Sequence, residues 1–420
     1  MRSWPPASRR RCASPGSPAL GGGGYLLART SAGRDVLVDF FVDTPGRGRT
    51  HDADPTFEEV AVDFGAAVQT FHCGPGSVAV PGVLAGYLHA HRTLGRLPLA
   101  HVVAPAIELA EGGVAVSPTQ AADFRLLEPI LARTEASRAI FFPQGRLVGA
   151  GDELRNPHLG AFLRELGRDP EATFYRGELA RRLVAQLASG GGLLTEDDLA
   201  AYQVVERAPL AFEFRDRRIL TNPPPTFGGA LLRLALERLA ALGPALPAGS
   251  PERAVRLVEV MASVDRDRAA GHPDVLAALR GDDGDDRPVA TRGTTHVTVA
   301  DAEGNVAAMT TSNGECSGDV LEGTGISCNN MLGEDDLHPD GFHAGPPGVR
   351  VASMMSPTFV EGRDGTVQLA LGSGGSKRIR SALLQVLAAV IDDEAELAAA
   401  VDALRLHWDE DHIEVEPGLA

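Results

Sequence analysis

The acidic stretch GDDGDDRPVATRG, over residues 281–293, limits the folds open to this chain more than any other segment. Its acids, glycines and proline follow no apolar period, which predicts a solvated, flexible linker. Apolar residues before it recur mainly with the helical period, whereas short alternating segments after it predict strands. We therefore expect a mostly helical region over 20–293 and a strand-rich region over 294–420, within one structural domain.

Apolar spacing, turn signals and capping residues predict the individual elements. The Arg-, Pro- and Ser-rich segment 1–19 is expected to be disordered or foreign to the fold, and the acidic residues 57–66 are expected to form a loop. The expected helices cover roughly 81–94, 97–112, 159–166, 178–189, 228–242 and 379–392, with two more starting at Thr195 and Ser250. The expected strands cover 21–30, 35–46, 295–300, 306–312, 323–328 and 366–371, and 212–222 is expected to form a hairpin or a strand.

Composition excludes several classes of protein. The formal net charge of -17 disfavours nucleic acid and anionic membranes as partners. No apolar run is long enough to span a bilayer, and no apolar stretch follows the basic N-terminus to form a signal peptide, so a cytoplasmic location is expected. The four cysteines lack Cys-x-x-Cys spacing, so we expect neither a disulfide framework nor a Cys-rich metal site.

The first segment that could carry chemistry starts at Thr294, where the linker ends and TTHVTVADAEGNVAAMTTS predicts a hairpin. If the Gly293–Thr294 bond were cleaved, Thr294 would carry a hydroxyl nucleophile and an α-amine that titrates near neutral pH. The preceding glycine has an unhindered carbonyl and tolerates strained backbone angles. The alternative is an ordinary strand that begins after a linker.

The second such segment is LALGSGGSKRIRSALLQV, in which a strand is followed by glycines and then by a helix. Successive glycine N–H groups at the start of a helix form a cradle for an anion. The cradle could hold a phosphate or the oxyanion of an acyl-transfer transition state. The glycine spacing differs from that of a phosphate-binding loop, and a plain strand-to-helix turn is the alternative.

Two further segments contain polar candidates. In VRVASMMSPTFV, Ser353 and Ser356 could donate hydrogen bonds in a pocket, and the two methionines between them are expected in the core. In NNMLGEDDLHPDGFH, His338 and His343 lie among acids, which could indicate a metal site. Because this segment predicts neither a helix nor a Cys-supported site, we favour a solvated or substrate-facing loop, and we expect no metal or other cofactor.

Taken together and in this order, these segments resemble the γ-glutamyltranspeptidases, a family of N-terminal-nucleophile hydrolases. The resemblance covers about 19–415 and includes GGGGYLL, GGLLTEDDLAAYQVVERAPL, TNPPPTFGG, TTHVTVADAEGNVAAMT, SMMSPT and GSGGSKRI. It implies a four-layer α/β/β/α sandwich, made as one precursor that cuts itself into a large and a small subunit that stay together. The resemblance leaves open whether two precursors associate as a homodimer.

The resemblance also implies roles for individual residues. Thr294 matches the nucleophile, whose hydroxyl first attacks the Gly293 carbonyl and then the substrate. Ser312 falls where the family has a threonine that hydrogen-bonds the nucleophile, and Gly374 and Gly375 match the glycines of the oxyanion hole.

Three further residues fall at substrate-binding positions of the family. Ser353 matches the first of two serines that hold the substrate carboxylate, and Glu334 falls near the acid that holds the substrate amino group. Phe41 stands where the family has an arginine that binds the glutamyl α-carboxylate, and Met354 replaces the second serine. Phenylalanine offers neither charge nor hydrogen-bond donors, so the acyl-transfer residues are retained while the γ-glutamyl pocket is changed.

The resemblance therefore predicts an autoprocessing N-terminal-threonine hydrolase or acyltransferase. Its substrate would be a small γ-glutamyl amide of the glutathione type or a related acyl amide. One alternative is an amidase or acylase of the same family with a non-glutamyl substrate. A second alternative is an inactive, unprocessed relative, because the family has a helical segment before the Gly-rich strand and further strands after HWDEDHIEVEPG, and we expect both ends to be shortened here.

Overall fold

The computed structural model describes residues 20–49, 56–63, 68–170, 174–271, 275, 294–334, 342, 345–375, 377–409, 411–416 and 418. The segment 1–19, the linker 281–293 with Gly293, and the two loop histidines His338 and His343 lie outside these residues, so their predictions are not addressed by the fold.

Seventeen strands occur in the described part of the chain, and nine of them build two antiparallel sheets. The strands are β1 (Gly23–Arg29), β2 (Asp35–Asp39), β3 (Glu58–Asp63), β4 (Val68–Cys73), β5 (Val114–Ala115), β6 (Glu153–Leu154), β7 (Val205–Arg207), β8 (Leu210–Phe214), β9 (Arg217–Thr221), β10 (Thr294–Ala300), β11 (Val306–Ser312), β12 (Val320–Leu321), β13 (Ile326–Ser327), β14 (Thr358–Glu361), β15 (Val367–Leu371), β16 (Leu406–Asp409) and β17 (His412–Val415).

The first sheet has the order β10-β11-β1-β2-β7, and the second has the order β15-β14-β9-β8. Strands from before and after residue 294 therefore pair within both sheets. The acidic linker does not separate two independent sheets, because β11 pairs along its length with β1 and β14 pairs with β9.

Helices cover both outer faces. They are α1 (Val83–Leu94), α2 (Leu99–Gly112), α3 (Pro118–Leu126), α4 (Glu128–Leu131), α5 (Glu135–Phe141), α6 (Pro157–Leu166), α7 (Glu178–Ser189), α8 (Glu196–Ala201), α9 (Phe227–Ala241), α10 (Pro251–Ala269), α11 (Arg378–Asp392) and α12 (Leu397–Asp402). The predicted capping residues are confirmed, since the side chains of Thr195 and Ser250 accept hydrogen bonds from the third residue of α8 and of α10.

Side-chain alternation along β1 and β2 produces the layers. Leu27 and Leu37 face the second sheet and pack in one core with residues of β9, β14, α9, α10 and α11. Leu26 and Val38 point the other way and pack against α1 and α7 in a second core. Because successive strand residues face opposite sides of a sheet, the result is helices, sheet, sheet and helices, which is the predicted four-layer arrangement.

Two predictions about local structure are wrong. Residues 57–66 were expected to form a loop, but β3 pairs with β4 throughout, with Val62 buried beneath an acidic exterior. The predicted strand over 323–328 is extended only at Ile326–Ser327, because Gly323 and Gly325 adopt positive φ angles that turn the chain. The helices between residues 118 and 141 had no clear apolar period and were not predicted.

Candidate active site

One row of side chains crosses the first sheet at the start of β10. Thr294 pairs with Ser312 of β11, and Ser312 pairs with Gly23 of β1. Gly24 and Phe40 exchange two backbone hydrogen bonds of 3.2 and 3.0 Å, which brings Phe41 opposite Gly23. Because residues directly opposite one another in antiparallel strands share a face, Thr294, Ser312, Gly23 and Phe41 form one row.

The Thr294 hydroxyl has the setting expected of a reactive group. The residue is partly buried, its Oγ1 is shielded from solvent, and this atom has no hydrogen-bond partner among the described residues. Buried polar atoms in folded proteins are nearly always paired, and the exceptions require an explanation such as a catalytic role. Thr294 is the residue for which the sequence predicts that role.

The glycine cradle lies directly against Thr294. A methyl group built on Gly374 would lie 2.7 Å from the Thr294 carbonyl oxygen and 3.1 Å from its Cβ. Gly375 has a φ of +118°, which favours glycine, and its carbonyl accepts a hydrogen bond of 3.0 Å from the backbone N–H of Arg378 at the start of α11. The structure therefore brings together Thr294 and the two glycines that the sequence predicts to be the nucleophile and the oxyanion hole.

Ser312 lies beside Thr294 but is bonded elsewhere. Its buried Oγ accepts a 2.9 Å hydrogen bond from the backbone N–H of Gly314. The hydrogen bond expected between Ser312 and Thr294 is absent, since Thr294 Oγ1 has no partner in the described part of the chain. The β-methyl group of a threonine at this position would restrict χ1, whereas the serine hydroxyl is free to turn to the Gly314 amide.

The Glu334 carboxyl approaches the same place from the other side. The residue is 5% exposed and follows the short 3-10 helix Met331–Gly333. A side chain on Gly314, whose φ is +63°, would overlap Glu334 Oε1 and Asn330 Oδ1. Glu334 is therefore held against Gly314, whose backbone N–H donates to Ser312, and it lies near the row.

Phe41 closes the opposite end of the row. Its ring is fully buried and stacks on Tyr25, with 5.5 Å between the ring centroids. A side chain on Gly23 would lie 2.9 Å from a ring carbon of Phe41, so the missing side chain leaves room for the ring. An aromatic ring thus stands where the resemblance implied a substrate-binding arginine.

A guanidinium group does lie behind Phe41, but it is engaged. Arg350 donates to the Phe41 carbonyl oxygen and, over 2.6 Å, to the Tyr202 hydroxyl. Its Nε is 3.2 Å from an Asp43 carboxylate oxygen and 3.6 Å from one of Asp39. Burial raises the pKa of Asp43 to about 6, although the Arg350 charge opposes that rise.

Ser353 is buried with its hydroxyl satisfied locally. Its Oγ accepts a 3.1 Å hydrogen bond from the Met355 backbone N–H, and its carbonyl accepts from the first residues of α9. Met354 and Met355 are fully buried in the inter-sheet core, as the sequence predicts. The Ser356 hydroxyl donates to the Met354 carbonyl over 2.9 Å and is committed within the same segment.

His296 is a residue near the site that the sequence interpretation missed. Its Nδ1 lies 2.8 Å from Thr310 Oγ1 and its Nε2 lies 3.0 Å from Thr298 Oγ1. A side chain on Gly372 would overlap the ring, so His296 packs under the segment that leads into the cradle. The signal was its spacing of two residues from Thr294, which puts both side chains on one face of β10.

The buried cysteines near the site are poor nucleophiles. Burial, with the Glu315 and Glu334 carboxylates adding to it, raises the pKa of Cys316 to about 12. Burial raises the pKa of Cys73 to about 12 as well. Since the thiolate is the reactive form, neither thiol is suited to act as a nucleophile near neutral pH.

One group among the described residues has the composition of a metal site. Ligand atoms of Asp409, His412 and Glu414 lie within 4.8 Å of one another on the hairpin of β16 and β17. Lys377 is 3.3 Å from Asp409, and Arg378 is 3.3 Å from Glu414. Both carboxylates already have a cationic partner, so we assign no metal here.

Comparison with known proteins gives the family. The sequence profile of the gamma-glutamyltranspeptidase family matches residues 11–281 and 278–420. The chain belongs to the gamma-glutamyltranspeptidase family. The predicted family membership is therefore confirmed, and with it the class of hydrolases and acyltransferases to which the prediction assigned the chain.

Individual relatives of two kinds are similar to this member of the family. The glutathione hydrolase proenzyme of Escherichia coli is 29% identical over 445 residues, covering 96% of this chain and 76% of the relative. The acylase ACY 1 proenzyme of Pseudomonas sp. strain SE83 is 31% identical over 433 residues, covering 95% and 76%. Both the main prediction and its acylase alternative thus have relatives at similar identity.

Solved structures confirm the predicted fold. The cephalosporin acylase of Bacillus halodurans superposes with a TM-score of 0.80 at 24% identity, over 99% of this chain and 80% of that one. The Helicobacter pylori gamma-glutamyltranspeptidase gives a TM-score of 0.51 at 26% identity, over 62% and 76%. Among the described helices, none combines the length and apolar character needed to cross a membrane.

Proposed function

We propose that this chain is a precursor that cleaves its own Gly293–Thr294 bond, and that Thr294 then hydrolyses or transfers the acyl group of small acyl amides through an acyl-enzyme. The observation that carries the proposal is the Thr294 hydroxyl, which is buried and unpaired among the described residues, on a residue whose backbone and Cβ lie against Gly374. The proenzyme names of the relatives support processing of this kind.

Self-cleavage requires only atoms that the chain supplies, together with water. Thr294 Oγ1 bonds to the Gly293 carbonyl carbon, the carbon–nitrogen bond breaks, and the nitrogen takes up the hydroxyl proton to become the α-amine of Thr294. Water then hydrolyses the resulting ester, which leaves a carboxyl group on Gly293 and restores the threonine hydroxyl. The freed α-amine titrates near neutral pH and can serve as the base in later turnovers.

Substrate turnover repeats the same chemistry on an external amide. The α-amine accepts the hydroxyl proton while Oγ1 attacks the acyl carbon, and the tetrahedral oxyanion forms beside Gly374 and Gly375. Backbone N–H groups at the start of α11 are suited to stabilise that negative charge. The amine of the substrate leaves with the proton, and water or a second amine then takes the acyl group from Thr294.

The two pieces would remain associated after cleavage. Residues before the cut provide β1, β2, β7, β8 and β9, and residues after it provide β10, β11, β14 and β15. Because β11 pairs with β1 and β14 pairs with β9 across the cut, separating the pieces would expose the inter-sheet core and unpaired strand edges. The partners of this protein are accordingly its own large and small subunits and a small acyl amide.

A mass measurement on quenched reactions tests the proposal. Mixing the purified protein with an excess of an acyl p-nitroanilide and quenching in acid should add the acyl mass to the piece that starts at Thr294. Thr294→Ala should remove the label and the turnover, whereas Thr295→Ala, whose side chain faces the other side of β10, should retain both. An acyl adduct that persists in Thr294→Ala would contradict the assignment.

A further inference from the structure

A series of contacts joins one face of β10 to the segment 370–374, which leads from β15 into the glycine cradle. Each step of two residues along β10 is matched by a step of two residues, in the opposite direction, along that segment. Alternate residues of a strand share a face, so all these contacts lie on the face that carries Thr294. The contacting pairs are Thr294 with Gly374, His296 with Gly372, and Thr298 with Ala370. The segment therefore has a fixed register against β10.

The His296 ring makes the central contact of this series. A methyl group built on Gly372 would lie 2.3 Å from His296 Nδ1 and 2.4 Å from its Cε1. These separations are far below the roughly 3.5–4.0 Å at which non-bonded carbon atoms are most stable. The Gly372 backbone thus lies directly against the ring, with no room for one further carbon between them. The ring therefore limits how closely Gly372 approaches β10.

Two threonine hydroxyls hold the ring in one orientation. His296 Nδ1 lies 2.8 Å from Thr310 Oγ1, and Nε2 lies 3.0 Å from Thr298 Oγ1. The Thr298 hydroxyl donates its proton to the Ala370 carbonyl over 3.3 Å, so it accepts from Nε2. In the neutral ring, this network assigns the proton to Nε2 and leaves Nδ1 to accept from the fully buried Thr310 hydroxyl. The ring cannot tilt without breaking one of these bonds.

The distance between Thr294 and the cradle depends on the same ring. Gly374 follows Gly372 by two residues, and a methyl group on Gly374 would lie 3.1 Å from Thr294 Cβ. A shift of Gly372 towards β10 or away from it would therefore change the separation of Gly374 from Thr294. Oxyanion donors are effective only when they lie about 2.7–3.1 Å from the developing charge. Small shifts at Gly372 are therefore expected to affect catalysis.

We infer that His296 is a positioning residue: its ring is a spacer that sets the separation between Thr294 and the oxyanion cradle. The inference rests on the proposed function of Thr294. Both ring nitrogens are engaged by threonine hydroxyls, so the ring acts by its size and orientation and transfers no proton to the substrate. Because the oxyanion exists only in the transition state, loss of the spacer should lower kcat and leave KM nearly unchanged.

A double-mutant cycle tests the inference. His296→Ala removes the spacer, Gly372→Ala adds a carbon that overlaps it, and the double variant places the added methyl group in the space that the ring has left. Release of p-nitroaniline from an acyl p-nitroanilide gives KM and gives kcat per cleaved chain. We expect each single substitution to lower kcat by about thirty-fold or more, with KM changed by less than about three-fold. The double variant should regain at least about ten-fold in kcat over Gly372→Ala.

Independent effects of the two substitutions would give a different result. The effects of substitutions that do not share a contact multiply, so a double variant whose kcat falls by the product of the single effects would overturn the inference. An effect confined to KM would overturn it as well. His296→Phe keeps a ring against Gly372 but loses both hydrogen bonds, and it should retain at least about ten-fold more kcat than His296→Ala. Equal kcat values for these two variants would refute the spacer.

The matched control is the pair His101→Ala and Gly112→Ala, made singly and together. Both residues are exposed on α2, and a methyl group on Gly112 would meet nothing within 4 Å, so kcat should stay at the wild-type value. The acyl label on the piece that starts at Thr294 tests the proposed function separately. A label that Thr294→Ala removes upholds that function whatever the cycle shows. Wild-type protein without label or turnover contradicts the function and the inference together.

Discussion

Replacing Gly374 with alanine would place a methyl group against the backbone of the proposed nucleophile. The added carbon would lie 2.7 Å from the Thr294 carbonyl oxygen, 3.1 Å from its Cβ and 3.3 Å from its carbonyl carbon. Non-bonded carbon atoms prefer separations of about 3.5–4.0 Å. The cradle and β10 must therefore move apart by several tenths of an ångström, and the neighbouring atom is backbone rather than the end of a flexible side chain.

The expected cost follows from the precision that catalysis requires. A displacement of about 1 Å can cost a hundred-fold in rate, and loss of one oxyanion donor costs about 10²–10³ in kcat. We expect Gly374→Ala to lower kcat by about a hundred-fold with a small change in KM, because the oxyanion exists only in the transition state.

The assay is release of p-nitroaniline from an acyl p-nitroanilide. The value of kcat is expressed per cleaved chain, with the cleaved fraction read from a denaturing gel, so that slow maturation is not counted as slow catalysis. Gly112→Ala is the matched control, since a methyl group there would meet nothing within 4 Å. Equal kcat values for the two variants would refute the assignment of Gly374 to the oxyanion cradle.

Three further predictions concern stability. Burial, with the Arg380 charge adding to it, lowers the pKa of His407 to about 4 in the folded protein. The unfolded chain therefore binds more protons, and stability falls by about 3 kcal/mol as the pH drops from about 6.5 to about 4. In urea unfolding, His407→Gln should lose this dependence of stability on pH, and an unchanged dependence would contradict the prediction. Arg350→Met leaves Asp43 without its ion-pair partner and should cost about 3–5 kcal/mol in urea unfolding, so a wild-type midpoint would exclude the network described around Phe41. Gly314→Ala combines a φ of +63° with overlap on Glu334, whereas Gly365→Ala has a φ of +77° and open space around it. Each strained angle costs about 1–3 kcal/mol, so the added overlap should make Gly314→Ala the less stable variant. Equal thermal midpoints for the two variants would show that the overlap has no effect.

Several elements were predictable because their signals are local. The helices α1, α2, α6, α7, α9 and α11 alternate apolar and polar residues with a clear helical period, and the capping residues at α8 and α10 act within one turn. For Thr294, Gly374 and Gly375 the local signals, a hydroxyl after a linker and glycines between a strand and a helix, left plain alternatives open, and only the family resemblance favoured the proposed roles. The contact between Thr294 and Gly374 could not be predicted from local patterns, because these residues lie eighty positions apart.

The missed features depend on tertiary contacts or on rotamers. β3 contains acidic residues on its exposed side, and only its pairing with β4 and the burial of Val62 make it a strand. The guanidinium behind Phe41 comes from Arg350, more than three hundred positions along the chain. The hydrogen bond from the Gly314 amide sets the rotamer of Ser312, and no pattern of residues predicts that rotamer.

The mass of the purified, wild-type protein after long incubation tests the central claim most directly. We expect two pieces, with the smaller one comprising residues 294–420 and showing threonine as its first residue on N-terminal sequencing. Thr294→Ala should remain a single chain under the same conditions. A wild-type protein that is folded by circular dichroism yet stays whole, or is cut at a bond other than Gly293–Thr294, would contradict the claim that Thr294 is an N-terminal nucleophile.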